Sequence, residues 1–168
     1  MDGAMTKAPL GGEETGKNPT DRGKIGTKRS LLTDGAGVPL GVVVSGANTH
    51  DKRLVKATLE SVPIERPTAT KKARQNLCLD KGYDYPDVRE LVAEFGYTAH
   101  IPVRGQPPAP RKKLPAYRAR RWVVERTHSW MNRFRRLLIR WDKKIANYKG
   151  FLHFACAWIT LRAAGVLG

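Results

Sequence analysis

The first half of the chain has a weakly apolar start followed by two short apolar runs. Residues 3–27 are rich in Gly, Lys, Thr and Pro and show no apolar period, which predicts an extended loop. The apolar runs Leu31–Leu32 and Val38–Ser45 are separated by Asp-Gly-Ala-Gly, a turn sequence that predicts a β-hairpin. Helical spacing of apolar residues after this hairpin predicts a helix that Asp51 caps and Pro63 ends.

The second half alternates short apolar segments with longer helical patterns. Residues 75–84, QNLCLDKGYD, predict a buried strand that ends at an acid and a glycine. The stretch YPDVRELVAEFG predicts a helix with Pro86 in its first turn, and YTAHIPV predicts another strand. Two more helices are predicted, over about 118–140 and about 145–166. This order predicts a single domain over residues 1–168, with a mixed α/β fold and one central sheet flanked by helices.

Basic residues are concentrated in the C-terminal part of the chain. Residues 1–100 contain 15 Lys and Arg against 13 Asp and Glu, whereas residues 101–168 contain 16 against 2. Residues 103–117 are basic and rich in proline, which predicts a loop. Clustered positive charge favours nucleic acid as a partner, because each neutralised phosphate releases counterions. A nucleic-acid-binding protein of ribosomal type is an alternative that requires no acidic residues. The residues expected to contact DNA phosphates are Lys112, Lys113, Arg118, Arg120, Arg121, Arg126, Arg133, Arg135 and Arg136.

Secreted and membrane proteins are disfavoured. Cys78 and Cys156 lie in apolar stretches without metal-ligand spacing, which predicts reduced core residues of a cytosolic protein. The apolar C-terminal stretch contains His153 and Arg162, so it predicts a buried helix rather than a membrane span. The N-terminus has no apolar segment of the kind found in signal peptides. These patterns predict a cytoplasmic protein.

The segment RRWVVERTHSWMNRFRRL, residues 120–137, contains six arginines and one acid, Glu125. On a helix, Glu125 lies off the apolar stripe and faces the bound polyanion. Taken alone, this glutamate is better explained by a surface ion pair with Arg121 or Arg126. The apolar stripe consists of Val123, Thr127, Trp130, Phe134, Leu137 and Trp141.

Two further acids give Glu125 a chemical context. Asp80 ends an apolar strand, where α/β sheets expose ligand sites, although a turn role is an alternative. Asp2 is the third candidate, and alone it would be an ordinary terminal acid. Carboxylates suit magnesium, with manganese as a substitute. Two ions about 3.5–4 Å apart stabilise both the attacking and the leaving oxygen of a phosphoryl displacement. The sequence therefore predicts a metal site formed by Asp2, Asp80 and Glu125, with the arginines holding the DNA backbone.

Two tryptophans flank the acid of this segment. Trp130 lies on the apolar stripe, which predicts a core position. Trp122 is adjacent to Arg121 and would stack on an unpaired base, an interaction worth about 1–3 kcal/mol. Packing of Trp122 against the final helix is the favoured alternative.

The combined motifs resemble bacterial insertion-sequence transposases of the DDE type. The start MDGAMTKAPLGG, the stretch LCLDKGYD and the segment around Glu125 carry this resemblance, which covers essentially the whole chain. It implies a ribonuclease H-like fold with Asp2, Asp80 and Glu125 as the catalytic, metal-binding acids. It also implies magnesium-dependent nicking at transposon ends, followed by strand transfer into target DNA. His50 and Asp51 match the family's His-Asp pair and are interpreted as supporting residues, with helix capping as an alternative.

The chain departs from the family pattern at several positions. Position 118 is Arg where the family usually has Tyr, and Tyr117 lies one residue away. Asn132 stands where a basic residue is common, and Arg133 follows it. The family pattern places a DNA-binding domain before the catalytic domain, and we expect this sequence to lack it.

The resemblance suggests several partners and leaves more than one function open. It implies double-stranded DNA as the substrate, a homo-oligomer on DNA and a nucleoid-associated bacterial location. Its closest subgroup includes two-reading-frame elements, so a separate upstream-frame product would supply the DNA-binding domain. A truncated, catalytically inactive remnant that only binds DNA is the main alternative.

Overall fold

The structure is a computed structural model that describes residues 1–106 and 122–166. Most of the predicted loop 103–117 and the start of the predicted helix 118–140 therefore lie outside the described residues. The described part of the chain forms two β-sheets with helices packed on both sides.

The N-terminal residues form strands where the sequence predicts a loop. β1 (Asp2–Lys7) and the two-residue β2 (Gly16–Lys17) both pair antiparallel with β3 (Ile25–Thr33). The prediction of an extended loop over 3–27 is therefore wrong for these segments. The apolar pattern of β1 is weak, and pairing of all its residues with β3 holds it in the sheet.

The predicted hairpin is confirmed. β3 pairs antiparallel with β4 (Pro39–Gly46), and the register sets Leu31 opposite Val42. Asp34 stabilises the turn between them, because its Oδ1 accepts hydrogen bonds from the backbone nitrogens of Ala36 and Val38, both at 2.8 Å.

The helix after the hairpin begins differently from the prediction. A 3₁₀ turn (Asp51–Leu54) precedes α1 (Val55–Glu60). His50 caps this turn, since its Nδ1 accepts a hydrogen bond from the Lys52 backbone nitrogen at 3.2 Å. The prediction that Asp51 is the cap is therefore wrong, because the Asp51 side chain is held elsewhere, beside Lys28.

The predicted strand, helix and strand after residue 75 are present, but the two strands pair in parallel as a second sheet and not within the one central sheet that the sequence predicts. β5 (Gln75–Cys78) pairs in parallel with β6 (Tyr97–His100), and α2 (Pro86–Glu94) connects them. A 3₁₀ turn (Lys81–Tyr83) follows β5. The Met1 amino nitrogen donates a hydrogen bond of 3.0 Å to the Cys78 carbonyl, so β1 lies beside β5.

The C-terminal region contains three helical segments. α3 (Trp122–Met131) ends well before residue 140, and a one-turn helix, α4 (Arg135–Leu138), follows it. The prediction of a continuous helix to residue 140 is wrong. The helical spacing of apolar residues continues across the break between α3 and α4, so the sequence pattern does not reveal the break. Both segments contribute to the same core. The final helix, α5 (Ile145–Ala163), agrees with its predicted start and ends three residues early.

Two hydrophobic cores lie on opposite faces of β3. Leu32 belongs to the core that α1, α2 and β5 cover, whereas the adjacent Leu31 belongs to the core beneath α3, α4 and α5. Successive side chains of a strand point to opposite faces, so β3 contributes to both. The mixed α/β class is confirmed. None of the helices in the described residues is long and apolar enough to span a bilayer.

Arg140 joins the C-terminal segment to the first sheet. It is fully buried, and its backbone nitrogen donates to the Lys7 carbonyl at 2.8 Å. Five oxygens accept hydrogen bonds from its guanidinium at 2.6–3.3 Å, namely the carbonyls of Glu13, Glu14, Asp142 and Lys143 and the hydroxyl of Thr27. A planar fork with five donors matches this set, and an ammonium group does not.

We expect Arg140→Lys to lower the free energy of unfolding by about 2 kcal/mol, because buried acceptors lose their donors. Chemical denaturation monitored by circular dichroism measures the change. Arg133→Lys is the matched control, since Arg133 is exposed, and its effect should stay within about 0.5 kcal/mol. Equal denaturation midpoints for the two variants would show that the fork contributes nothing.

Candidate active site

Asp2 lies at the beginning of β1, opposite Leu31 of β3. Burial of its carboxyl group raises its pKa to about 6. The negative charges of Asp80 and Asp51 raise this pKa further, whereas a hydrogen bond from the Gly3 backbone opposes the shift. The structure therefore brings Asp2 and Asp80 close enough to interact electrostatically.

Asp80 follows β5 and begins the 3₁₀ turn after it. Its Oδ1 accepts a hydrogen bond from the Gly82 backbone nitrogen at 2.7 Å, so the turn role considered for this residue is confirmed. The contact between Met1 and Cys78 lies one residue before Asp2 and two residues before Asp80. Adjacent backbones thus bring the two acids together from distant parts of the sequence.

A third carboxylate, Asp51, packs against the strand that carries Asp2. A methyl group at Gly3 would overlap Asp51 Oδ1, so a larger residue there would displace the Asp51 side chain. Lys28 Nζ lies 3.1 Å from the same oxygen and donates to the Thr49 carbonyl at 2.6 Å. The Lys28 side chain is only 5% exposed. The positive charge of Lys28 therefore compensates one of the three negative charges of Asp2, Asp51 and Asp80.

Tyr83 brings a buried hydroxyl group next to these acids. The residue is 1% exposed, and its hydroxyl makes no hydrogen bond to the residues that the structure describes. Burial raises the pKa of Tyr83, and the charges of Asp51, Asp2 and Asp80 raise it further. Buried polar groups almost always have a partner, so this hydroxyl is an exception among the described residues.

Glu125 lies on α3 and is exposed. His128, one turn later, is buried, and its Nε2 lies 3.4 Å from the Asp2 carbonyl oxygen. Across residues 1–106 and 122–166, no three His, Cys, Asp or Glu side chains are grouped closely enough to hold a metal ion. The structure thus brings Asp2 and Asp80 near each other, while convergence of Glu125 with them stays a prediction.

His128 is expected to make stability depend on pH. Burial lowers its pKa to about 4, and the positive charge of Arg29 contributes to the shift. The unfolded chain binds a proton near pH 6.5 and the folded chain only near pH 4. The contribution of His128 to the free energy of unfolding is therefore fully present above pH 6.5. It is lost as the pH falls towards 4, by about 3 kcal/mol in total.

His128→Gln should remove this contribution, because glutamine keeps a donor and does not titrate. Urea denaturation across that pH range gives the comparison with wild type. The control is His153→Gln, since His153 is exposed on α5. Parallel stability curves for wild type and His128→Gln would contradict the assignment.

The remaining predicted site residues differ in their surroundings. Arg133 and Arg135 are exposed, as a DNA-binding role requires. Arg136 forms an ion pair of 2.8 Å with Asp142. His50 Nε2 lies 3.5 Å from the Tyr85 hydroxyl, in addition to its capping role. The other residues proposed to contact DNA, Lys112, Lys113, Arg118, Arg120 and Arg121, lie outside the described residues, as does Tyr117.

The two tryptophans of α3 behave differently from each other. Trp130 is partly buried against the second core, in agreement with its prediction. Trp122 is 55% exposed, so the favoured expectation of core packing for this residue is wrong. Arg126 lies between their rings and donates a hydrogen bond of 2.6 Å to the Ala36 carbonyl.

Sequence reasoning missed two residues of the pocket and understated a third. Asp51 follows the hairpin in a His-Asp pair, which pointed to a supporting role but not to contact with Gly3. Lys28 lies within a strand, and no pattern distinguishes it from a surface lysine. Tyr83 carried no sequence signal, because its burial depends on packing between β5 and α2.

Two comparisons with known proteins match the chain. A family model described as the transposase DDE domain matches residues 1–160. The transposase assigned to insertion sequence element IS402 of Burkholderia cepacia is 33% identical, over 92% of this chain and 73% of that protein. No solved structure matches at a significant level. Since the family match covers nearly the whole length, the chain belongs to the family of transposase DDE domains.

Proposed function

We propose that this chain is the catalytic domain of an insertion-sequence transposase that cleaves DNA at transposon ends and transfers the free 3′-hydroxyl to target DNA. The observation that carries the proposal is the backbone contact between Met1 and Cys78, which brings Asp2 and Asp80 near each other from distant parts of the sequence. Neighbouring carboxylates provide the oxygen ligands that hard cations require.

The strand arrangement supports a ribonuclease H-like fold. The order across the two sheets is β4, β3, β1, β5 and β6, with β1 beside β5 through the contact between Met1 and Cys78. The first three strands are antiparallel neighbours and the last two are parallel. In this arrangement Asp2 begins one central strand, Asp80 follows the end of the neighbouring strand, and α3 packs against β1 and β3.

Asp2, Asp80 and Glu125 would hold magnesium, for which manganese would substitute. When bound, the ions lower the pKa of the attacking water or 3′-hydroxyl and stabilise the leaving oxygen. Asp2 has a pKa of about 6, so it is mostly ionised and available as a ligand near neutral pH. Glu125 is one turn from His128, which contacts the Asp2 backbone. Rotation of the exposed Glu125 side chain is the movement we propose for completing the site.

Binding of DNA would depend on the basic surface around α3 and α4. Arg133 and Arg135 are exposed there, and the chain carries a net charge of +16. Phosphate contacts supply most of the sequence-independent affinity for DNA and weaken steeply with salt. A homo-oligomer assembled on DNA and a separate upstream-frame product with a DNA-binding domain belong to the same proposal.

A second candidate function is DNA binding without catalysis, as in an inactive remnant. The exposure of Glu125 favours it, because the third carboxylate is not held beside the first two. The two functions differ in what happens to bound DNA, so one experiment separates them.

The test uses the purified chain and DNA that contains the inverted repeats flanking its gene. Catalysis predicts nicks at the repeat ends in the presence of magnesium and none with a chelator. Binding in both conditions with no nicks in either would support the inactive remnant and contradict the catalytic proposal.

A further inference from the structure

The final helix, α5, presents a buried apolar face and an exposed one. The buried face packs in the second core through Tyr148, Leu152, Ala155 and Ile159. Beside it lies a row of large apolar residues with the same helical spacing that are 41–59% exposed, namely Phe151, Phe154, Trp158 and Leu161. The row extends over about 15 Å of helix. An exposed apolar surface of this kind is typical of sites that bind another protein.

The exposed row forms one side of a groove, and Phe134, which precedes α4, lies on the other side. The Phe134 ring lies 6.5 Å from that of Phe154, edge to face, and the Phe154 ring lies 6.4 Å from that of Trp158. Phe134 lines two pockets, one of about 920 Å³ that reaches Phe151 and one of about 440 Å³ that reaches Trp158. This α5 groove therefore has a recess on each side of Phe134 that can accept apolar side chains.

Positive charge surrounds the α5 groove. Arg133 and Arg162 line the smaller pocket, and Arg135 and Arg136 line the larger one. Asp142 is the only acid among the described residues that line the two pockets, and its Oδ1 accepts a hydrogen bond of 2.8 Å from Arg136 Nη2. The groove therefore combines an apolar floor with an excess of positive charge along its edges.

We propose that the α5 groove binds an amphipathic helix of a partner protein, with an apolar row that enters the groove and acidic residues beside that row. Helices that bind in grooves use apolar side chains at positions i, i+3, i+4 and i+7, which fit a groove about 15 Å long. Acidic flanks complement the arginines. A second copy of this chain does not, because its own groove carries the same arginines and like charges across an interface oppose association.

Duplex DNA is the other polyanion that these arginines could attract, and the aromatic row argues against it. Phosphates neutralise cations but do not remove apolar side chains from water. A partner with apolar side chains covers the exposed rings of Phe151, Phe154 and Trp158. Arg133 and Arg135 also belong to the proposed DNA-binding surface, so the test includes duplex DNA. The inference goes beyond the proposed function, which assigns no residue of α5 to a partner.

The test uses the full chain and two fluorescein-labelled synthetic peptides of about 15 residues. Both peptides have leucines in one helical row, and the positions beside that row are glutamate in one peptide and lysine in the other. Anisotropy titration should show micromolar affinity for the glutamate peptide and binding of the lysine peptide that is weaker by about tenfold or more.

Phe154→Ala and Trp158→Ala should each weaken binding of the glutamate peptide by about tenfold or more, because truncating a central aromatic contact commonly has an effect of this size. Both side chains are exposed, so circular dichroism should show an unchanged fold. Trp122→Ala is the matched control for Trp158→Ala, since Trp122 is 55% exposed but lines neither pocket. It should bind the glutamate peptide like wild type.

Arg162→Glu separates the charge of the groove from its apolar contacts. Arg162 is exposed near the end of α5, so the substitution should not disturb the helix. It should weaken binding of the glutamate peptide by about fivefold and strengthen binding of the lysine peptide. Phe154→Ala, in contrast, should weaken binding of both peptides.

Each of the other possible occupants gives a different result. Equal affinity for the two peptides, or no binding of either, would overturn the proposal of an acidic helix. A dimer of the chain that Phe154→Ala dissociates, detected by analytical ultracentrifugation, would make a second copy the occupant. Loss of duplex DNA binding in Phe154→Ala would make the groove part of the DNA-binding surface. The peptide assay contains neither metal nor DNA, so failure of the chain to nick DNA would not affect its outcome.

Discussion

Asp80→Asn and Glu125→Gln are each expected to reduce magnesium-dependent nicking by about 1000-fold, the size typical of losing a group that stabilises transition-state charge. Asparagine can still accept the hydrogen bond from the Gly82 backbone, so the turn after β5 should persist. Glutamine at position 125 replaces an exposed side chain and should not disturb α3. Initial rates of nick formation on end-containing plasmid DNA measure the loss.

Glu94→Gln is the matched control, since Glu94 is an exposed acid at the end of α2. It should nick at the wild-type rate. DNA binding in chelator should be unchanged in all three variants, because the phosphate contacts lie elsewhere. Equal cleavage by wild type and either Asp80→Asn or Glu125→Gln would reject the assignment of these residues.

Asp2→Asn should make the metal-free protein more stable near neutral pH, by up to about 3 kcal/mol. The folded chain holds the Asp2 proton up to pH of about 6, whereas the unfolded chain releases it near 3.8. The carboxyl therefore favours the folded state below pH 3.8, and this contribution is lost as the pH rises through 6. The gain from Asp2→Asn should accordingly grow between these pH values and level off above them.

Magnesium should reverse the order of stability of wild type and Asp2→Asn, so that wild type becomes the more stable protein. A ligand that binds only the folded state stabilises it by an amount that grows with the logarithm of its concentration above the dissociation constant. Wild type should gain stability when magnesium replaces chelator, and Asp2→Asn should gain little. Urea denaturation in both buffers measures this, with Glu94→Gln expected to follow wild type. Lower stability of Asp2→Asn in chelator would contradict the buried, charged state of Asp2.

The opposite pH effects of Asp2 and His128 explain why single variants are needed. His128 is buried and Asp2 is partly buried, and the raised pKa of the acid and the lowered pKa of the histidine act in opposite directions. Their contributions largely cancel between pH 4 and 6 in wild type. Asp2→Asn removes the contribution of Asp2 and leaves that of His128 measurable, and His128→Gln does the converse.

Local patterns were reliable where the chain folds on itself over a short distance. The hairpin of β3 and β4 follows from its turn residues, and α2 follows from Pro86 and its apolar spacing. The position of Asp80 at the end of β5 was predicted because the apolar run and the acid are adjacent in sequence. The break after Met131 was missed, since apolar spacing reports which face is buried and not whether the helix is continuous.

By itself, the sequence determined the α/β character, the basic C-terminal part and the acids that could carry chemistry, because residue type and near-neighbour spacing decide these. Only the tertiary structure decided that β1 is a strand, that Asp51 lies over Gly3 with Lys28 beside it, and that Arg126 binds a hairpin turn. Each of these contacts joins segments more than 20 residues apart, or a strand to a partner that its own pattern does not indicate. These contacts form only when the whole chain packs, and the local spacing of apolar residues does not predict them.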